Sequence, residues 1–413
     1  MNLPWKYTVI VGVIIIHVFI LALFFSPGLL ASFKKDNSDA PQQAQPALTE
    51  NPASQPSTPP VLDDPPPSAP PKTTTANNTS TPPKTTAANN TSTPPKTTAA
   101  NYTSTPPKTT AANNTSTPPA KSAGSLSKLK PYHAGHYHSG TRPLSKPLTT
   151  AVGEIRSGIL IDLDTHTILW EKDSSKPYPI ASLTKMMTSL MLLRKVETTP
   201  GLSLDGTTIQ VTKEDRAYLK SAKINGVYLD AGEVFCLRDY LKCMIISSAN
   251  DAAYIIGKYL GDGDLERGVQ RMNEQAKQLG LNDMSFHNPN GLPIDHGKER
   301  TENNGSAISV AYLAECVMAF PEYMKWAGTT RDAIMHGSKP FDLNSTNHLL
   351  RNRVPGVTGL KTGFTDTAGY CIAVSCTREG RTMLLVVMGV RSRDRREAIA
   401  KQLLDWAFQQ PAK

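Results

Sequence analysis

The sequence is poor in the residues that build disulfide frameworks and thiolate metal sites. Its five cysteines stand at positions 236, 243, 316, 371 and 376, and no two of them form a Cys-x-x-Cys pair. An odd number leaves at least one thiol unpaired within a monomer, and without a Cys-x-x-Cys pair a zinc or redox site is not expected. The cysteines are therefore expected to fill an apolar core as small side chains.

Signatures of nucleic-acid modules are also absent, although the formal net charge is +9. The chain contains no paired Cys/His finger and no basic-aromatic RNP segment. A net positive charge is equally compatible with binding to an acidic membrane surface or to an acidic wall polymer. Nucleic acid is therefore not expected as a partner.

Residues 7–25 lack Asp, Glu, Lys and Arg altogether. As a helix, this stretch would span about 28 Å, close to the hydrocarbon thickness of a bilayer. It is longer than the usual apolar core of a signal peptide, which favours a retained anchor over cleavage near Ala31. Residues 1–30 are predicted to be a cytoplasmic tip and a transmembrane signal anchor. The remainder would then lie on the periplasmic side of a bacterial inner (cytoplasmic) membrane.

Hydrophobic periodicity is missing from the long segment that follows. Residues 70–117 carry a 12-residue repeat in which Pro-Pro-Lys returns four times. No repeat has an apolar face to bury, so the segment cannot offset the entropy lost on ordering. Residues 31–147 are predicted to be a disordered linker, with an r.m.s. span on the order of 60 Å.

Three histidines, His133, His136 and His138, stand close together near the end of this linker. A histidine-rich tract of this kind can bind a metal ion. The surrounding chain, however, shows none of the patterns of a folded element. We therefore predict that the chain holds no metal and no cofactor.

Residues 148–413 have the composition of one packed domain. Pairs of apolar segments on either side of short turn sequences predict two hairpins, 158–163 with 167–170 and 370–376 with 382–390. Apolar residues at three- and four-residue steps predict helices over 181–196, 237–259 (interrupted at 247–251) and 397–408. Strands at both ends with helices between them predict an α/β sandwich whose sheet is assembled from distant segments.

The first motif that indicates chemistry is Ser182-Leu183-Thr184-Lys185, at the predicted start of a helix. Residues three apart face the same side of a helix, so the Ser182 hydroxyl and the Lys185 amine would share one site. A serine is a weak nucleophile without an adjacent base. A lysine can be that base only when neutral, and burial or a nearby cation lowers its pKa toward that state. Both residues are therefore predicted to be catalytic.

A second motif, Ser248-Ala249-Asn250, interrupts the helical region over 237–259. Its hydroxyl can relay a proton, and its amide can bind a peptide carbonyl. Ser248 and Asn250 are accordingly predicted to complete the catalytic group.

The third motif is Lys361-Thr362-Gly363, just before the last predicted hairpin. On a strand, its lysine would supply a cation and its threonine a hydrogen bond to a substrate carboxylate. Its glycine would let a substrate backbone lie close to the strand. These residues and the adjacent Phe364 are predicted to bind substrate.

The order Ser-x-x-Lys, Ser-x-Asn, Lys-Thr-Gly is the motif set of penicillin-binding proteins and class A β-lactamases. Residues 179–188, 248–253, 286–292 and 359–365 together resemble the low-molecular-mass penicillin-binding proteins, the serine-type D-Ala-D-Ala carboxypeptidases. The likeness covers residues 152–408. It implies a β-lactamase/transpeptidase-like sandwich, in which an antiparallel sheet is flanked by helices and joined by a helical subdomain.

The resemblance also implies a mechanism. Ser182 would attack the carbonyl between two D-alanines of a peptidoglycan stem peptide, with Lys185 as general base, and water would hydrolyse the acyl-enzyme. Lys361 and Thr362 would bind the terminal carboxylate. The backbone N–H groups of Ser182 and Phe364 would form an oxyanion hole. β-Lactams would acylate the same serine, and no metal or organic cofactor is needed.

One departure and several alternatives bear on this interpretation. Many relatives have His where this chain has Phe364. If only the backbone of this residue takes part, the change should be tolerated, although it can shift the substrate preference. A DD-endopeptidase that cleaves peptidoglycan crosslinks differs only in the leaving group and remains open. A β-lactamase would need a Glu-x-x-Leu-Asn loop after the second motif, and the sequence has none. A wall-binding domain without activity would have lost Ser182, Lys185 or Lys361, and all three are present.

Overall fold

Residues 129–411 are the part of the chain that the computed structural model describes. The predicted anchor at residues 1–30 and the repeats at residues 70–117 lie outside these residues. Within residues 129–411, no helix has both the length and the apolar character that crossing a membrane requires.

The strands of the described domain include a run of long ones near its C-terminal end. They are β1 (His138–Ser139), β2 (Ser157–Asp162), β3 (Thr167–Lys172), β4 (Tyr178–Pro179), β5 (Thr208–Gln210), β6 (Val234–Cys236), β7 (Ile294–His296), β8 (Glu299–Thr301), β9 (Asn304–Gly305), β10 (Arg331–His336), β11 (Lys339–Asn344), β12 (Val357–Thr365), β13 (Gly369–Arg378) and β14 (Arg381–Val390). Six of them form the main sheet in the order β1-β3-β2-β14-β13-β12. Its neighbours pair antiparallel except β1, which runs parallel to β3.

Several helices of the domain begin at a side-chain cap, such as Ser306, whose hydroxyl accepts from Ser309 N, and Ser392, which accepts from Arg395 N. Such caps satisfy backbone donors that the helix leaves unpaired. The helices are α1 (Lys146–Val152), α2 (Lys185–Thr198), α3 (Lys213–Ser221), α4 (Leu237–Ile245), α5 (Asn250–Leu260), α6 (Leu265–Gln278), α7 (Ala307–Met318), α8 (Pro321–Ala327), α9 (His348–Arg351) and α10 (Arg393–Phe408).

Both faces of the main sheet are covered by helices. Along β14, Leu384 and Val386 belong to the core shared with α7, whereas Leu385 and Val387 belong to the core shared with α1 and α10. This alternation follows from the two-residue period of a strand. The core on the α7 side continues into a helical part built around α2, α4 and α5. The predicted antiparallel sheet with flanking helices and a helical subdomain is therefore confirmed.

The predicted hairpins and helices are confirmed with shifts at their ends. Both hairpins form, as β2–β3 and β13–β14. The helix predicted from residue 181 begins with a 3₁₀ turn, Ala181–Thr184, before α2 starts. The last helix begins at Arg393, four residues before the predicted start, because Ser392 caps it.

The start of the folded domain at residue 148 was predicted too late. Tyr137 is 5% exposed within the main core, and Leu129 and Tyr132 pack against that core. Tyr132 N donates to Leu279 O over 2.8 Å, and β1 adds to the edge of the sheet. Residues 129–147 therefore belong to the domain rather than to a linker.

Candidate active site

The 3₁₀ turn between β4 and α2 places Ser182 beside Lys185. The Nζ atom of Lys185 lies 2.9 Å from the Oγ atom of Ser182. Lys185 is the first residue of α2, so one turn of helix sets the separation that the Ser-x-x-Lys spacing predicted. The pair is close enough for direct proton transfer.

Lys185 is buried, at 1% exposure, and is held by two carbonyl oxygens. Its Nζ donates to Asn250 Oδ1 over 2.7 Å and to the backbone oxygen of Asn290 over 2.6 Å. Burial holds the pKa of Lys185 well below its ordinary value, and the charge of Lys361 lowers it further. A neutral amine has two N–H bonds and one lone pair. In that neutral form, with both N–H bonds directed at the two carbonyls, the lone pair would face the Ser182 hydroxyl.

A loop before β7 supplies one of these carbonyls and is fixed by hydrogen bonds to the nucleophile segment. Thr188 Oγ1 on α2 donates to Pro289 O over 2.7 Å. Asn303 Nδ2 bridges Asn288 O, at 2.8 Å, and Thr184 Oγ1, at 3.0 Å. The sequence singled out residues 286–292 by resemblance but gave them no role. In the structure one of them, Asn290, accepts a hydrogen bond from the amine of Lys185.

The residue before the nucleophile has an uncommon backbone conformation. Ala181 has a φ of 46°, in the left-handed region that non-glycine residues rarely adopt. A Cβ built on Gly291, whose own φ is 82°, would lie 2.0 Å from the carbonyl oxygen of Ala181. Only glycine at position 291 allows these two backbones to meet. Such local strain is typical of sites that hold a reactive group in place.

The second motif forms the wall opposite β12. Ser248 has a φ of 62°, and Asn250 is the first residue of α5. The neighbouring Asp251 is buried and accepts hydrogen bonds from the backbone N–H groups of Val227 and Leu229. Burial raises the pKa of the Asp251 carboxyl despite these bonds. The anchored Asp251 holds the start of α5, so Ser248 and Asn250 face the cleft that Ser182 lines.

The third motif lies on β12, the strand at one edge of the main sheet. Lys361 is 1% exposed, and its Nζ donates to Thr362 O over 2.9 Å. Burial lowers the pKa of Lys361 to about 7, with a further contribution from Arg396. The cleft wall here consists of Thr362, Gly363 and Phe364. The charge of Lys361 lowers the pKa of Lys185, and its direct contact with a substrate carboxylate stays a prediction.

Gly363 lets β12 lie against the turn that carries the nucleophile. A Cβ at this position would stand 3.1 Å from Ile180 O and from Ser182 N, which is tighter than ordinary packing. The backbone N–H groups of Ser182 and Phe364, predicted to form an oxyanion hole, thus belong to adjoining segments. Phe364 is 48% exposed, and its ring lies 4.2 Å from that of Tyr370. The two rings give the cleft an aromatic wall.

The cleft has a volume of about 570 Å³ and contains cations that the motifs did not indicate. Arg351, Arg393 and Arg396 all line it. Arg396 is 3% exposed, donates to Cys371 O over 3.0 Å and pairs with Glu397. The basic run at residues 391–396 was the available signal, but nothing in the sequence placed it beside β12. These groups suit an anionic substrate.

This arrangement is typical of serine acyl-transfer enzymes. A serine hydroxyl touches a buried amine, a backbone strand borders the serine, and the cleft carries positive charge. A family model described as D-alanyl-D-alanine carboxypeptidase matches residues 147–392, more than half of the chain. The chain belongs to this family, and the predicted resemblance is confirmed.

The curated relatives that the chain matches include proteins named carboxypeptidase and proteins named endopeptidase. The D-alanyl-D-alanine carboxypeptidase DacF of Bacillus subtilis (strain 168) is 33% identical over 260 residues, which cover 62% of this chain and 63% of that protein. A D-alanyl-D-alanine endopeptidase of Pseudomonas aeruginosa is 27% identical over 255 residues, which cover 60% of this chain and 76% of that protein. The chain thus spans somewhat less than two thirds of the length of the first relatives that it matches.

Solved structures share the fold. Penicillin-Binding Protein D2 from Listeria monocytogenes, solved in its cefotaxime-bound form, is similar with a TM-score of 0.54 and 27% identity. The likeness covers 62% of this chain and 98% of that structure. The described domain therefore has the α/β fold of penicillin-binding proteins.

Proposed function

We propose that this chain is a serine D-alanyl-D-alanine carboxypeptidase that removes the terminal D-alanine from peptidoglycan stem peptides. The observation that carries the proposal is the 2.9 Å contact between Ser182 Oγ and the buried amine of Lys185. The arginines of the cleft support a substrate that ends in a free carboxylate. The family to which the chain belongs supports the D-alanyl-D-alanine specificity.

In the proposed acylation step, Ser182 Oγ attacks the carbonyl carbon of the penultimate D-alanine. Its proton moves to the neutral Nζ of Lys185, whose lone pair faces it. The oxyanion accepts hydrogen bonds from the backbone N–H groups of Ser182 and Phe364. The peptide C–N bond then breaks, and the leaving amine takes the proton from Lys185 through the Ser248 hydroxyl.

Deacylation reverses these roles. A water molecule attacks the ester carbonyl and gives a proton to Lys185, which returns it to Ser182 Oγ as the ester bond breaks. The products are free D-alanine and a stem peptide that is one residue shorter. β-Lactams are proposed to acylate Ser182 in the same way, as covalent inhibitors.

The substrate carboxylate is proposed to bind at the β12 side of the cleft. Thr362 Oγ1 lies 2.6 Å from Thr346 Oγ1, which fixes the hydroxyl at the cleft surface. Arg393 and Arg396 supply positive charge from the start of α10. The buried Lys361 of β12 adds further positive charge. An anion that bridges Thr362 and an arginine would set the scissile bond beside Ser182.

The proposal is tested by D-alanine release from a stem pentapeptide. We expect the full-length chain in detergent to release D-alanine and to lose that activity when benzylpenicillin acylates it at one mole per mole. Penicillin labelling without release, together with cleavage of a crosslinked dimer of stem peptides, would assign the endopeptidase reaction instead. A chain that does neither would refute an acyl-enzyme mechanism.

We further infer that residues 1–30 anchor the chain in the bacterial inner (cytoplasmic) membrane, with the catalytic domain on the periplasmic side. The uncharged stretch at residues 7–25 supports this inference. The Pro-Pro-Lys repeats up to residue 117 support a flexible tether between anchor and domain.

Membrane fractionation tests the anchor. We expect full-length protein in the membrane fraction and a chain of residues 31–413 behind a cleavable signal in the soluble periplasmic fraction. D-Alanine release in that fraction is the control for folding. If the shortened chain stays with the membrane, residues 1–30 are not what holds it there.

A further inference from the structure

At the edge of the main sheet opposite β12, one of the clustered histidines lies close to two residues that are distant in the sequence. His136 precedes β1, His166 lies in the turn between β2 and β3, and Glu315 is on α7. One ligand atom from each of the three lies within 4.8 Å of the others. This histidine-glutamate cluster has no part in the reaction described above.

The distances suit a shared ion after small side-chain rotations. His136 Nε2 lies 3.1 Å from Glu315 Oε2. Two ligands about 2.0–2.2 Å from a tetrahedral zinc ion stand about 3.3–3.5 Å apart. The two atoms are therefore within a few tenths of an ångström of the separation that a shared ion requires.

The third member of the cluster, His166, has a ring nitrogen without a hydrogen-bond partner among the described residues. This nitrogen, Nδ1, is buried. A buried polar atom without a partner is costly. A salt bridge between His136 and Glu315 would explain that pair alone and would leave His166 unsatisfied. A bound cation would satisfy all three.

Neighbouring groups hold the three side chains in place. Tyr137 OH donates to Glu315 Oε2 over 2.8 Å, as the outer shell of a metal site commonly does. The ring of His136 stands edge-on to those of Tyr137, at 4.5 Å, and Tyr312, at 4.8 Å. The backbone oxygen of His166 accepts from His138 N over 2.7 Å.

We propose that His136, His166 and Glu315 form a structural site for a divalent transition-metal ion of the zinc type, with its fourth position open to water. Two imidazoles and one carboxylate are a ligand set that zinc favours. The ion would link the segment before β1 to the β2–β3 turn and to α7, and would thereby hold the first residues of the domain against the rest of it. The prediction of no metal rested on an unfolded surrounding chain, whereas residues 129–147 are part of the fold.

The test is zinc binding by full-length protein purified in detergent without a polyhistidine tag. After dialysis against a chelator, we expect one zinc ion per chain by elemental analysis and a rise in Tm on adding Zn²⁺. We expect Glu315→Gln and His166→Asn each to weaken zinc binding at least about 100-fold. Asn tolerates the left-handed backbone of His166, whose φ is 49°.

His138→Ala is the matched control, because His138 is exposed and only two residues from His136. It should bind zinc as the wild type does. Cobalt provides a second readout, since a tetrahedral N/O site gives Co²⁺ a visible absorption band that the Glu315→Gln variant should lose. Circular dichroism without metal checks that the variants fold. Equal zinc binding by all variants, or none by the wild type, would overturn the proposal.

Discussion

Replacement of Lys185 by Arg is expected to lower kcat/KM for D-alanine release by at least about 10³-fold. An arginine keeps the positive charge but cannot become neutral, so it cannot accept the Ser182 proton. Ser182→Ala should lose at least as much. Because the two groups act as one unit, the double variant should be no worse than Ser182→Ala alone. Steady-state kinetics on the three variants measure this, and additive losses would contradict a direct Ser182–Lys185 proton transfer.

The pH dependence separates a base from a merely structural lysine. Only neutral Lys185 accepts a proton, so kcat/KM should rise with pH and level off well below the ordinary pKa of a lysine, about 10.4. The folded pKa lies below the unfolded one, so the unfolded chain binds more protons between the two values. Wild-type stability should therefore rise with pH across that interval. Lys185→Met should lose activity and also this part of the stability slope.

Gly291→Ala is expected to destabilise the domain by about 2 kcal/mol or more. The new Cβ would lie 2.0 Å from the backbone carbonyl oxygen of Ala181 and 2.9 Å from the side-chain hydroxyl of Thr184. The Ala181 carbonyl cannot move away without shifting the turn that carries Ser182. Tm should fall by on the order of 5 °C. Displacement of the Asn290 carbonyl from Lys185 should lower kcat on the order of 10²-fold.

Gly297→Ala is the matched control for this substitution. Gly297 has a φ of 73°, similar to that of Gly291, but a Cβ there has open space around it. The Gly297→Ala variant should lose only about 1 kcal/mol of unfolding free energy, from the left-handed backbone conformation, and should keep full activity. Thermal unfolding and D-alanine release measure both variants. If the two glycines behave alike, the close contact with Ala181 has no role in the site.

Local patterns in the sequence predicted much of this domain. Apolar segments of strand length on either side of short turns predicted the hairpins β2–β3 and β13–β14, because such a pattern is visible within a few residues of sequence. The Ser-x-x-Lys motif predicted the contact between Ser182 and Lys185 because one helical turn is enough to bring the two side chains together. Each of these features depends on neighbours within a few residues in the chain.

Features that depend on long-range contacts could not be predicted. The carbonyl of Asn290 that orients Lys185 is a backbone group, and any residue could have supplied it. Arg396 reaches the cleft because α10 packs on β13, which no local pattern encodes. Residues 129–147 looked unfolded because a two-residue strand and a few buried rings leave no periodicity.

The order of the main sheet has a mechanical consequence. β1, where the chain enters, and β12, beside the nucleophile, are the two edges, about 24 Å apart across five strand spacings. A pull on the chain at Leu129 would first load the hydrogen bond from Tyr312 OH to Lys130 O, and then the Tyr132–Leu279 hydrogen bond and the two-residue pairing of β1 with β3. These contacts would break while the hydrogen bonds among β14, β13 and β12 remained intact. Tension applied at Leu129 would therefore act on this edge of the sheet before it reached the cleft.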